Sequence, residues 1–139
     1  MADTFQLQVA TPERSFVDEQ VTEAQLPGKN GYMGILAGHA PLLSALGPGV
    51  LTYEGGGGPH VLAISGGFVE VFDNHVRVLA DRADLPKDID VDASRRELDE
   101  ASEALKRGDT EEASASAMDA VGAAQARLDV AEKGSAASH

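Results

Sequence analysis

Gly67-Phe68-Val69-Glu70-Val71-Phe72-Asp73-Asn74-His75-Val76-Arg77-Val78-Leu79-Ala80 is two β-branched, apolar-rich runs joined by a two-residue Asp-Asn link. A link that short closes a tight hairpin if both residues take positive φ, which Asp and Asn tolerate better than most side chains. Working outward, Gly66-Gly67 just before the hairpin marks a bulge or a close backbone approach. Upstream lie further short extended runs, Val50–Tyr53 and Val61–Ile64, with Gly55-Gly56-Gly57-Gly58-Pro59 as a hairpin tip between them. Near the start, Phe5, Leu7 and Val9 alternate with Thr4, Gln6 and Gln8 at the period of a half-buried strand. Thr11-Pro12-Glu13-Arg14 is a turn signal, and Val21–Leu26 is extended until Pro27-Gly28-Lys29-Asn30-Gly31 breaks it. Strands this short and this closely spaced predict an antiparallel sandwich or barrel.

Beyond residue 85 the period changes. Val91, Ser94, Leu98, Ala101 and Leu105 recur at three- and four-residue spacing, which predicts a helix over 91–107 with Gly108 as its C′ residue. Asp90 and Asp92 read as cap and dipole partners, and Asp109 or Thr110 can cap a second helix over 110–133. Its expected stripe is Ala113, Ala117, Ala120/Val121, Ala124, Leu128 and Ala131, ended by Lys133-Gly134. The short gap between the helices predicts an antiparallel hairpin, with Ser135–His139 as a frayed tail. An alanine stripe buries little, at roughly 0.8 kcal/mol per CH₂, so the pair needs something to dock on. The expected class is α+β: an N-terminal antiparallel β-sandwich, residues 1–85, followed by a C-terminal two-helix hairpin, residues 86–139.

Composition removes several function classes. The 139 residues carry 11 Lys+Arg against 23 Asp+Glu, a formal net charge of −12. So acidic a surface argues against nucleic acid and anionic lipid as direct partners. No Cys means no disulfide and no thiolate metal site, which fits a reducing compartment. His39, His60, His75 and His139 stand at no metal-ligand spacing, so no metal is expected. No apolar run is long enough to span a bilayer, so no direct membrane insertion is expected. Met1-Ala2-Asp3-Thr4 offers neither a basic n-region nor an apolar core, so no secretory leader is expected. Ser65 lacks the first glycine of a nucleophile elbow, and Gly28-Lys29-Asn30-Gly31 lacks the spacing of a phosphate loop. The sequence therefore predicts no catalytic residue and no cofactor.

Two motifs exceed what composition produces. One is Gly31-Tyr32-Met33-Gly34-Ile35-Leu36-Ala37-Gly38-His39-Ala40-Pro41-Leu42-Leu43. The other is Ser65-Gly66-Gly67-Phe68-Val69-Glu70-Val71, followed by Leu79-Ala80-Asp81. In this order, and with Val9-Ala10-Thr11-Pro12 at the start, they closely resemble the epsilon subunit of the F-type ATP synthase over nearly the whole chain. A stand-alone sandwich module would share the composition but has no need of both motifs.

The resemblance implies a non-catalytic rotor subunit. Its partners would be the gamma subunit and the c-ring, with the alpha and beta catalytic subunits reachable by the hairpin. It would couple ring rotation to ATP synthesis from the cytoplasmic face of an energy-transducing membrane, a bacterial plasma or inner membrane. Gly31, Tyr32 and Met33 match the family segment that meets the c-ring. Tyr32 stands where members often carry an acid, so it either makes an amphipathic contact there or packs locally. His39, Pro41, Leu42 and Leu43 match the segment near gamma. His39 is read first as a hydrogen-bonded turn residue, and only one of Leu42 and Leu43 can face the core of an extended chain. Ser65-Gly66-Gly67-Phe68 is read as packing. Some members bind ATP at the hairpin through [IL]-D-x-x-R-A. Here Val91-Asp92-Ala93-Ser94-Arg95-Arg96 departs at both ends and the second helix offers only Arg127, so Asp92, Arg95 and Arg127 are expected not to form a nucleotide site. Residues 110–133 carry five acids and two bases, which predicts weak regulation of ATP hydrolysis by the hairpin.

Overall fold

Asp73 and Asn74 take φ of 47° and 58° and close the hairpin that the sequence predicts. Around it the computed structural model, which describes residues 3–137, places β1 (Phe5–Ala10), β2 (Ser15–Gly28), β3 (Gly31–Leu36), β4 (Leu42–Leu46), β5 (Gly49–Gly55), β6 (Gly58–Phe72) and β7 (His75–Asp84). A 3₁₀ turn, Pro86–Asp88, leads into α1 (Val91–Arg107) and α2 (Glu111–Ala137). The strands form a β-sandwich built on two long ones. β2 pairs β1 through its first half and β5 and β3 through its second, while β6 pairs β5 first and β4 later. Inward side chains from both layers, among them Phe5, Leu7, Leu26, Ile35, Leu51 and Ile64, fill the core.

Several details depart from expectation. Val61–Ile64 and Gly67–Phe72 are one strand, because Gly66 and Gly67 at φ 71° and 112° let β6 bend without stopping. Gly67 also lies against the β7 backbone, where a Cβ would overlap the Leu79 carbonyl. The β1–β7 pair is parallel, the one departure from antiparallel pairing among the described strands. The break foreseen at Pro27 falls later: β2 runs to Gly28, turns at Lys29-Asn30 and pairs with β3. β3 was concealed by Gly31 and Gly34, whose cost in a strand is offset here by pairing on β2, and β4 by its length of five residues directly after Pro41.

In the helices, Asp90 Oδ1 accepts from the Ala93 N–H at 3.0 Å and Thr110 Oγ1 from the Ala113 N–H at 3.0 Å, so both caps are in place. Gly108 is the C-cap itself at φ −55°, not a left-handed C′ residue; a Cβ there would crowd Ser114. α2 does not end at Lys133-Gly134 but runs to Ala137, and 138–139 lie outside the described residues. The expected stripes are only partly buried. Ser94, Ala101, Ala117 and Ala124 are inside, whereas Val91, Leu105, Ala113 and Ala120 are exposed. α2 instead buries a second face. Gly122, Ala126, Val130 and Gly134, spaced by four, face the sandwich and the 3₁₀ turn: Ala126 and Val130 pack with Val50 and Ala63, Gly122 lies against Pro48, and Gly134 against Pro86 of the turn. Glycine at 134 is thus a point of close approach, not a stop.

Candidate interaction surfaces

At the β2–β3 turn, the backbone geometry follows from Pro27. The β2–β5 ladder stops at Gln25–Thr52, because the Pro27 carbonyl, next in line to accept, takes the Gly47 N–H at 2.9 Å. The Val50 N–H, left without a strand partner there, donates to the Tyr32 hydroxyl at 2.9 Å. Tyr32 is therefore anchored at its tip while its ring stays 55% exposed. Gly31 opens β3 at φ 135°, and Met33 packs against the core. Gly31, Tyr32 and Met33 accordingly sit on a paired strand rather than in a loose loop.

The next segment turns sharply. The Gly38 N–H donates to Asn74 Oδ1 at 2.7 Å, tying it to the β6–β7 hairpin, and His39 Nδ1 lies 2.7 Å from the Ala40 carbonyl. Pro41 is exposed. Leu42 packs against the core and Leu43 points outward at 72% exposure. Leu43 does not stand alone. Register places Ala45, Phe68, Leu79 and Ala10 in one row across β4, β6, β7 and β1, with Leu43, Glu70, Arg77 and Gln8 in the adjacent row. Phe68 is 59% and Leu79 55% exposed, so Phe68 does not serve core packing as expected. The signal for it was present: Val69 and Val71 face inward, which by strand alternation turns Phe68 and Phe72 out. Glu70 and Arg77, 3.8 Å apart, border this apolar row.

On the hairpin, Arg127 is buried and its guanidinium pairs with Glu97 on α1, leaving Nε without a partner. Asp92 and Arg95 lie exposed and do not join it. Ser65, Arg82, Glu97 and Arg127 line a shallow cleft in which that cation is already neutralised. Among the described residues no group of three or more His, Cys, Asp or Glu is placed to hold a metal ion. No described helix is long and apolar enough to cross a membrane. Burial, with the Glu19 carboxylate second, pushes the Tyr53 phenol above its ordinary value.

Comparison with known proteins places this geometry. Residues 4–86 match the family model described as the ATP synthase Delta/Epsilon chain, beta-sandwich domain. The ATP synthase epsilon chain of Solibacter usitatus is 48% identical over 137 residues, covering 96% of this chain and 99% of its own. That of Anaeromyxobacter dehalogenans is 43% identical, covering 90% and 96%. A chain in the Euglena gracilis mitochondrial ATP synthase, solved with OSCP, F1 and c-ring, superposes with a TM-score of 0.75 at 27% identity over 98% of this chain and 82% of its own. One from the central stalk and c-ring of Tetrahymena thermophila shares the fold at TM-score 0.66 and 17% identity. Sandwich, hairpin order and near full-length identity agree, and the chain belongs to the ATP synthase epsilon-chain family.

Proposed function

We propose that this chain couples rotation of the c-ring, through gamma, to ATP synthesis, without catalytic chemistry of its own, at the cytoplasmic face of a bacterial membrane. One observation carries the reading: a packed sandwich leaves two surfaces uncovered, the anchored Tyr32 strand and the apolar row around Phe68 and Leu79. Exposed apolar patches bordered by charge are characteristic of subunit interfaces. The row with Leu43 serves gamma, next to His39 and Pro41, and the turn carrying Gly31, Tyr32 and Met33 serves the ring. The hairpin regulates hydrolysis weakly, since α2 would bring a net −3 over 110–133 to any acidic surface. It takes no nucleotide, because Arg127 is already paired inside it.

Phe68→Asp in the full chain tests the gamma surface. It should fold with an unchanged melting temperature, since residue 68 faces solvent, and lose about tenfold or more in affinity for gamma-containing complexes. Retained binding would overturn the assignment.

A further inference from the structure

β3 is an edge strand of unusual character. It hydrogen-bonds to β2 alone, so its other edge presents main-chain N–H and C=O groups that no described strand pairs. Natural sheets guard such an edge with lysine, proline or a bulge. Gly31-Tyr32-Met33-Gly34-Ile35-Leu36 has no charged residue and no proline, and it turns Tyr32 and Leu36 outward, Leu36 at 61% exposure. Beside this edge the outer faces of β3, β2 and β5 form a groove of about 580 Å³, with Glu23, Gln25, Leu36, Thr52, Glu54 and Pro59 in its lining. Glu23 pairs in register with Glu54, neither forms an ion pair among the described residues, and no basic side chain lines the groove. Like charges directly opposite on a sheet oppose folding. The free chain therefore carries a cost that an approaching cation would relieve.

From these observations we infer that the β3 edge receives an extended, basic segment of a partner subunit, added as a further strand with a Lys or Arg side chain reaching across β3 to Glu23, the nearer carboxylate of the Glu23–Glu54 pair. This rests on the reading that the chain works inside the assembled ATP synthase. Main-chain pairing along β3 supplies affinity in this mode, and side-chain chemistry supplies selectivity. A second copy of the chain fits poorly, because its own β3 carries no cation for Glu23 and two chains of net charge −12 repel.

Hydrogen exchange of the full chain, free and within the purified ATP synthase, tests the inference. Alternate amides of residues 32–36 should exchange about tenfold more slowly in the complex. A chain that does not co-purify with the complex refutes the proposed function. A chain that co-purifies while its β3 amides exchange as fast as in the free state refutes only this inference. Concentration-dependent β3 protection in the free chain would indicate self-pairing and also overturn it. The double variant Glu23→Gln/Glu54→Gln addresses the charge. Free, it should melt at the same or a higher temperature than the parent; in the complex, β3 protection should fall about fivefold or more. Unchanged protection in that variant would show that the occupant is not basic.

Discussion

The Tyr32 hydroxyl does for the Val50 N–H what the Pro27 carbonyl would have done had it not accepted from the Gly47 N–H. Tyr32→Phe should therefore cost about 1 kcal/mol in denaturant unfolding, the net worth of one hydrogen bond to a buried donor. Because the ring is kept, it should leave membrane-sector attachment intact, whereas Tyr32→Ala should weaken attachment as well; equal attachment of both variants would remove the ring from that contact. Arg127 illustrates a different balance. Glu97→Gln leaves a buried cation unpaired and should destabilise by about 3 kcal/mol, while Arg127→Met removes the charge, frees only a half-exposed carboxylate and should be near neutral. Tyr53 gives a pH test. Its folded pKa lies above 10, so between the unfolded value near 10 and the folded one the unfolded chain releases the proton first. Stability should drop as pH rises through that window, and Tyr53→Phe should flatten the drop in melting temperature. None of these three roles was legible in the sequence, since each depends on a partner at least 18 residues away in the chain. The outward turn of Leu43 was half legible, because alternation requires that one of two adjacent leucines leave the core.

At the scale of elements, legibility followed local chemistry. Asp73-Asn74 and the Asp90 and Thr110 caps depend on a few consecutive residues, and they could be read directly. β3 could not, because Gly31 and Gly34 are strand-averse residues held by pairing with β2, and β4 is too short to show a period. The sheet-facing side of α2 was hidden for another reason: where alanine occupies nearly every position, no period singles out a face. That face sets up a test by sign. Alanine in place of an exposed helical glycine usually stabilises by about 1 kcal/mol. At Gly134 and Gly122 the added methyl meets Pro86 and Pro48, so Gly134→Ala and Gly122→Ala should instead loosen α2. Faster proteolysis within 111–137, with the strands unaffected, is the expected result; slower proteolysis would mean that α2 does not rest on those prolines.

For the molecule as a whole, the core lies in the strands and the helices add a small cluster around Val50, Ala63, Ala126 and Val130. Truncation after Leu85 should therefore leave gamma binding and proton-coupled synthesis in place, and ATP hydrolysis should change only within assay error. Several-fold activation of hydrolysis on removing residues 86–139 would overturn the weak-regulator reading. The continuity of β2 and β6 has a mechanical consequence. Each runs uncut from one layer into the other, so a force entering at the Leu43–Phe68–Leu79 face reaches the Tyr32 end along covalent backbone. Ladder bonds flanking such a strand are strained together along its length instead of opening one by one. Pulled between those two ends, the sandwich should resist as a brittle element and give way in a single high-force event, while the helices, peeled from their small seam, should come away first and at much lower load.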